Sequence, residues 1–85
     1  MRPNVMAMSL IDTVRTRSAL PTPALRRAIR EAAGVSQGQI ARELGVHRMT
    51  VCRWEAGTST PSGDHLHAYA TILTDLSEAT RGGVR

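Results

Sequence analysis

The chain has 85 residues, enough for a single small domain around a modest core. It contains no Phe, one Trp and one Tyr, so its core must be built from Leu, Ile, Val, Met and Ala, which suits packed helices better than a β-sandwich. The net charge is +4, and all eleven basic residues are Arg, whose planar fork of donors matches phosphates and guanine edges.

The charge is unevenly spread. Residues 26–53 hold six arginines against Glu31 and Glu43, whereas residues 54–80 hold four acids and no Arg. Such a polarised chain suggests a polyanionic partner for its basic part. A single cysteine excludes an internal disulfide and fits a reducing cytoplasm, where the protein is expected. No apolar run reaches the length of a membrane span, and the start MRPNVMAMSLI lacks the long apolar stretch and cleavage site of a signal peptide.

In chain order, residues 1–8 read as a loose start. A short helix is expected from Ser9, with Ser9 as N-cap, Asp12 at the box position, and Ala7, Leu10, Ile11 and Val14 on one face. LPTP at 20–23 breaks it. Thr22 followed by Pro23 opens a helix over about 23–33, with Leu25, Ala28, Ile29 and Ala32 as its apolar stripe and Gly34 as its end. Ser36 with Gln39 makes a capping box for a helix over 37–44 that buries Ile40, Ala41 and Leu44, and Gly45 closes it. A helix over about 47–56 ends at Gly57, TSTPSGD is a loop, and a last helix over about 63–79 carries Leu66, Tyr69, Ala70, Leu73 and Leu76 on a broad stripe. The expected organisation is an N-terminal extension at 1–22, an all-α domain of four to five helices at 23–80, and a frayed tail at 81–85.

The helix at 47–56 carries the functional signal. On a wheel, Val51 and Trp54 point to one side, with Thr50 near them. Arg48, Met49, Cys52 and Arg53 lie on the other. An outer face mixing cations with Met and Cys gains little from water. It suits a DNA major groove, where Arg pairs with guanine and Met or Cys touches a thymine methyl. The short helix before it begins at Ser36 and Gln37, where free backbone N–H groups can hold a phosphate. Two short helices joined through Gly45 and Val46 make a helix-turn-helix.

Residues 24–73 resemble the Cro/repressor-type (XRE-type) helix-turn-helix family. The resemblance rests on Arg30, Gly34, Ser36-Gln37, Ile40-Ala41, Gly45-Val46, Val51, Trp54-Glu55, Gly57, Pro61, Leu66, Ala70 and Leu73. It implies five-helix packing, Gln37 on a phosphate, and Arg48, Met49 and Arg53 at base-reading positions. It also implies an ion pair between Arg30 and Glu55. There are two departures. His47 stands where Ser or Thr is usual, so the cap of the reading helix is weaker or replaced by a phosphate contact. Gly38 replaces a better helix former, at about 1 kcal/mol relative to Ala. Arg42, with some of Arg26, Arg27, Arg48 and Arg53, completes the expected phosphate contacts.

The expected function is a sequence-specific DNA-binding regulator, a repressor of a phage, prophage or other mobile element, bound as a homodimer to a palindromic operator in double-stranded DNA. Ile72 and Leu76, or the 7–14 stripe, are the expected dimer contacts. An antitoxin or excision accessory protein is the alternative within DNA binding, and a protein-interaction module on the same fold is the alternative outside it. No enzyme, cofactor, metal, membrane or small-molecule effector is expected. His65 and His67 diverge by about 200° on a helix, so they cannot both face one ion, and with Cys52 they make no C-x-x-C or H-x-x-x-H pair. Cys52 has no orienting base to make it a nucleophile.

Overall fold

The computed structural model describes the backbone of residues 3–82 and the side chains of residues 10–81. It contains α1 (Pro3–Ala19), α2 (Pro23–Ala32), α3 (Gln37–Leu44), α4 (Arg48–Ala56) and α5 (Gly63–Gly82), with no strand among the described residues. This is the all-α architecture expected from the core palette. No described helix is long and apolar enough to cross a membrane.

Capping chemistry sets the middle of the chain. Thr22 is extended and its hydroxyl accepts from the Leu25 N–H at 3.3 Å, which starts α2 at Pro23. Ser36 and Gln39 form the reciprocal capping box of α3: the Ser36 hydroxyl accepts from the Gln39 N–H at 3.0 Å, and the Gln39 side chain accepts from the Ser36 N–H at 2.8 Å. Gly45 and Gly57 take left-handed φ values of 70° and 78° and let α3 and α4 end in tight turns. His47 is the N-cap of α4 and makes no side-chain cap bond.

Helices α2 and α3 pack both on α4 and on α5. Ile40 and Ala41 of α3, Val51 and Trp54 of α4, and Tyr69 and Leu73 of α5 form the buried cluster. Trp54 and Tyr69 meet with ring centroids 4.7 Å apart. Pro61 and Leu66 are also wholly buried. Ile72 and Leu76, expected at a dimer contact, are half-buried and pack against this cluster.

Residues 81 and 82, expected in a frayed tail, belong to α5, which runs to Gly82. Two further expectations fail. Ser9 is not an N-cap, because the helix reaches back to Pro3 and Ser9 lies inside it. Residues 3–8 are therefore helical rather than loose; residues 1–2, the Ala7 side chain and residues 83–85 lie outside the described ones. Second, the apolar stripe of α2 does not face the core. Leu25, Ala28 and Ala32 are exposed and Ile29 is half-buried, while the one buried residue of α2 is Arg30. The reason lies across the interface, where α4 presents the Glu55 carboxylate and the Trp54 carbonyl rather than a hydrocarbon surface.

Candidate nucleic-acid interface

Arg30 and Glu55 face each other between α2 and α4, and their side chains are only 11% and 3% exposed. Arg30 Nε donates to Glu55 Oε2 at 2.5 Å and Nη2 to Oε1 at 3.0 Å, a bidentate pair. Arg30 Nη1 donates to the Val35 carbonyl at 2.8 Å. Its hydrogen bond to the Glu55 carboxylate raises the Arg30 guanidinium above its ordinary value, against the opposing effect of burial. Burial pushes the Glu55 carboxyl up, but hydrogen bonds from Arg30 and Gln37, with the Arg30 charge, outweigh it and hold the group below its ordinary value.

The same pair reaches the surface through Gln37. The Gln37 amide nitrogen donates to Glu55 Oε1 at 3.0 Å, and its oxygen accepts from Arg48 Nη1 at 3.1 Å. A buried ion pair, the first residue of α3 and the first residue of α4 thus form one hydrogen-bonded chain. Ser36, Gln37, Gly38, Arg27, Arg30 and Arg48 line a cleft of about 480 Å³ at the N-terminus of α3. Three guanidinium groups beside a helix N-terminus make this cleft attractive to anions.

On α4, Val51, Trp54 and Glu55 are buried, while Arg48, Met49 and Arg53 are exposed and Cys52 is half-buried. Met49 is 52% exposed, unusual for so apolar a side chain. His47 is exposed at the start of this helix. Arg42 is exposed in the last turn of α3, at the other end from the cleft.

Other arginines have structural partners. Arg26 donates to the Pro21 carbonyl at 2.8 Å and to the Trp54 carbonyl at 3.0 Å, so it ties α4 to the start of α2. Arg27 pairs with Glu31 at 3.0 Å on the exposed side of α2. His65 lies beside Trp54, with ring centroids 6.4 Å apart, and His67 meets Thr13 and Thr16 of α1, so each histidine has its own surroundings. Sequence reasoning missed the link from Gln37 to Arg48 and Glu55. No periodicity joins positions 37, 48 and 55, because the link exists only once three helices have met.

A helix-turn-helix family model matches residues 27–78, more than half of the chain. The chain belongs to the XRE-type helix-turn-helix family. It is accordingly a DNA-binding transcription regulator of the XRE type. Neither a curated protein nor a solved structure matches it significantly. The matched span begins within α2 and ends within α5, so α1 lies wholly outside the XRE-type unit.

Proposed function

We propose that this XRE-type chain reads a specific operator with α4 in the major groove, and that it represses by occupying that operator, as a regulator of a phage, prophage or other mobile element. The outer face of α4 carries the reading. Arg48 and Arg53 offer two guanidinium forks suited to guanine O6 and N7, and Met49 and Cys52 lie between them as contacts for thymine methyls. The Arg48 fork is already steadied by Gln37 before DNA arrives. Ser36, Gln37 and His47 are the proposed phosphate contacts near the helix starts, with Arg42 as a further cation. The protein binds as a homodimer on a palindromic operator, whose half-sites lie about 34 Å apart for a two-fold reader of one DNA face.

The test is the salt dependence of affinity for labelled random-sequence DNA, followed by selection of bound sequences. Two to four neutralised phosphates per subunit give a log–log slope of about −2 to −4, and about double for a dimer on two half-sites. A palindromic consensus from the selection supports the operator reading. A flat salt response overturns it in favour of a protein-interaction module.

A further inference from the structure

Helix α1 docks on α5 by its polar side. The Thr16 hydroxyl lies 3.2 Å from His67 Nδ1 and the Thr13 hydroxyl 3.5 Å from His67 Nε2. Three apolar residues among its described side chains point elsewhere: Leu10, Ile11 and Val14 are 67%, 50% and 53% exposed. Their i, i+1, i+4 spacing sets them on one ridge. The rest of the chain holds the converse feature. A groove of about 620 Å³ opens between the end of α1, α2 and α5, with Leu25, Ile29 and Leu73 among its lining. It continues along α2 past Ala28 and Ala32, whose small side chains let another helix approach closely. Among the described residues, one molecule thus carries an exposed apolar ridge and an open groove of mixed lining whose apolar part includes Leu25, Ile29 and Leu73.

We propose that the occupant of this groove is a second copy of the chain, the α1 ridge of each protomer lying in the α2–α5 groove of its partner. The proposal rests on the dimeric reading above and names its surface. Charge selects this pairing. Arg15 and Arg17 flank the ridge, and the groove lining carries Asp75 and Glu78 against one cation, Arg81, so it stays net negative. All five are exposed, and among the described residues none of them makes an ion pair. Ridge in groove brings arginines toward carboxylates, whereas ridge on ridge sets arginines against arginines. The placement also leaves the DNA face free. On α2 the groove residues Leu25, Ala28, Ile29 and Ala32 lie roughly opposite Arg27 and Arg30, which line the anion-attracting cleft. Reciprocal exchange is isologous, so the assembly closes at two chains.

The experiment measures the mass of the full chain in solution by sedimentation equilibrium, for the parent, Arg15→Glu/Arg17→Glu, Asp75→Arg/Glu78→Arg, and all four changes together. The expected masses are two chains for the parent, one for each charge-reversed pair, and two again for the combination, with helix content by circular dichroism retained throughout. If the ridge changes unfold α1, the groove changes and the rescue still decide. The proposal is overturned by a parent of single-chain mass at the highest concentration reached, by open-ended association, by a reversed pair that stays dimeric, or by a combination that does not recover the dimer. Binding to random-sequence DNA is followed in parallel. Loss of that binding in the parent would count against the DNA reading alone, because the mass measurement does not depend on it.

Discussion

Replacing Glu55 with Ala should destabilise the fold far more than its place near a functional surface suggests. The carboxylate is 3% exposed and accepts bonds from Arg30 Nε, Arg30 Nη2 and Gln37 Nε2. Its removal leaves the Arg30 guanidinium with the Val35 carbonyl at 2.8 Å and the half-exposed Glu31 at 3.9 Å. Breaking a buried pair by deleting one partner costs about 3–5 kcal/mol, and the two residual partners of Arg30 put the value near the lower end, about 3 kcal/mol. At about 4–8 °C per kcal/mol for a domain of this size, the melting temperature falls by about 12–24 °C. Urea and thermal melts by circular dichroism measure it. Converting both Arg30 and Glu55 to Leu should recover most of the loss, since no charge is then left buried alone. The pH dependence has a definite sign. The folded carboxyl ionises below its ordinary value of 4.5, so the stability it confers is present above about pH 4.5 and is lost as pH falls through the lowered value. Glu55→Gln should flatten that acid limb. An Ala variant within about 0.5 kcal/mol of the parent, the range of an ordinary surface change, would refute the account.

Four other substitutions probe separate features. The Tyr69 hydroxyl is buried with no hydrogen-bond partner among the described residues, so Tyr69→Phe should match or exceed the parent in stability; a loss above about 1 kcal/mol would reveal a partner such as a bound water. Burial, with the Glu55 charge, pushes the same phenol up to about 12, so its ultraviolet titration should begin only in strong alkali. Gly57→Ala must place a side chain at a φ of 78° with its Cβ 3.3 Å from Pro23 Cγ, which should cost at least about 1–2 kcal/mol in a urea melt. Arg48→Ala and Arg53→Ala should each weaken binding to a selected operator by about 1–3 kcal/mol without lowering the melting temperature, and unchanged affinity would remove that residue from the reading face.

The helices from Pro23 to Ala56 were legible because their boundaries are written locally. Thr22, Ser36 with Gln39, Gly45 and Gly57 each act within a few residues, and their hydrogen bonds form as the letters suggest. The outward turn of Arg48, Met49 and Arg53 was legible from the wheel alone. The inward face of α2 was not. Periodicity assumes that the apolar side goes to the core, but α4 offers α2 the Glu55 carboxylate and the Trp54 carbonyl, so Arg30 and Arg26 turn inward and Leu25 is left outside. The start of α1 was hidden for the opposite reason. Ser9 and Asp12 imitate a capping signal in the middle of a helix that Pro3 opens, a position where a missing N–H costs nothing.

The chain of bonds from Arg30 through Glu55 and Gln37 to Arg48 constrains how this protein can change over evolutionary time. A substitution at Gln37 or Arg48 that alters the preferred operator also disturbs a bond to the buried pair or next to it, and a substitution at Glu55 passes through a much less stable ancestor. Met49 and Arg53 carry no such tie, for among the described residues neither side chain makes a hydrogen bond or an ion pair. Divergence of the operator should therefore begin at positions 49 and 53 and reach 37 and 48 only when both move together, with the ion pair beneath them held fixed.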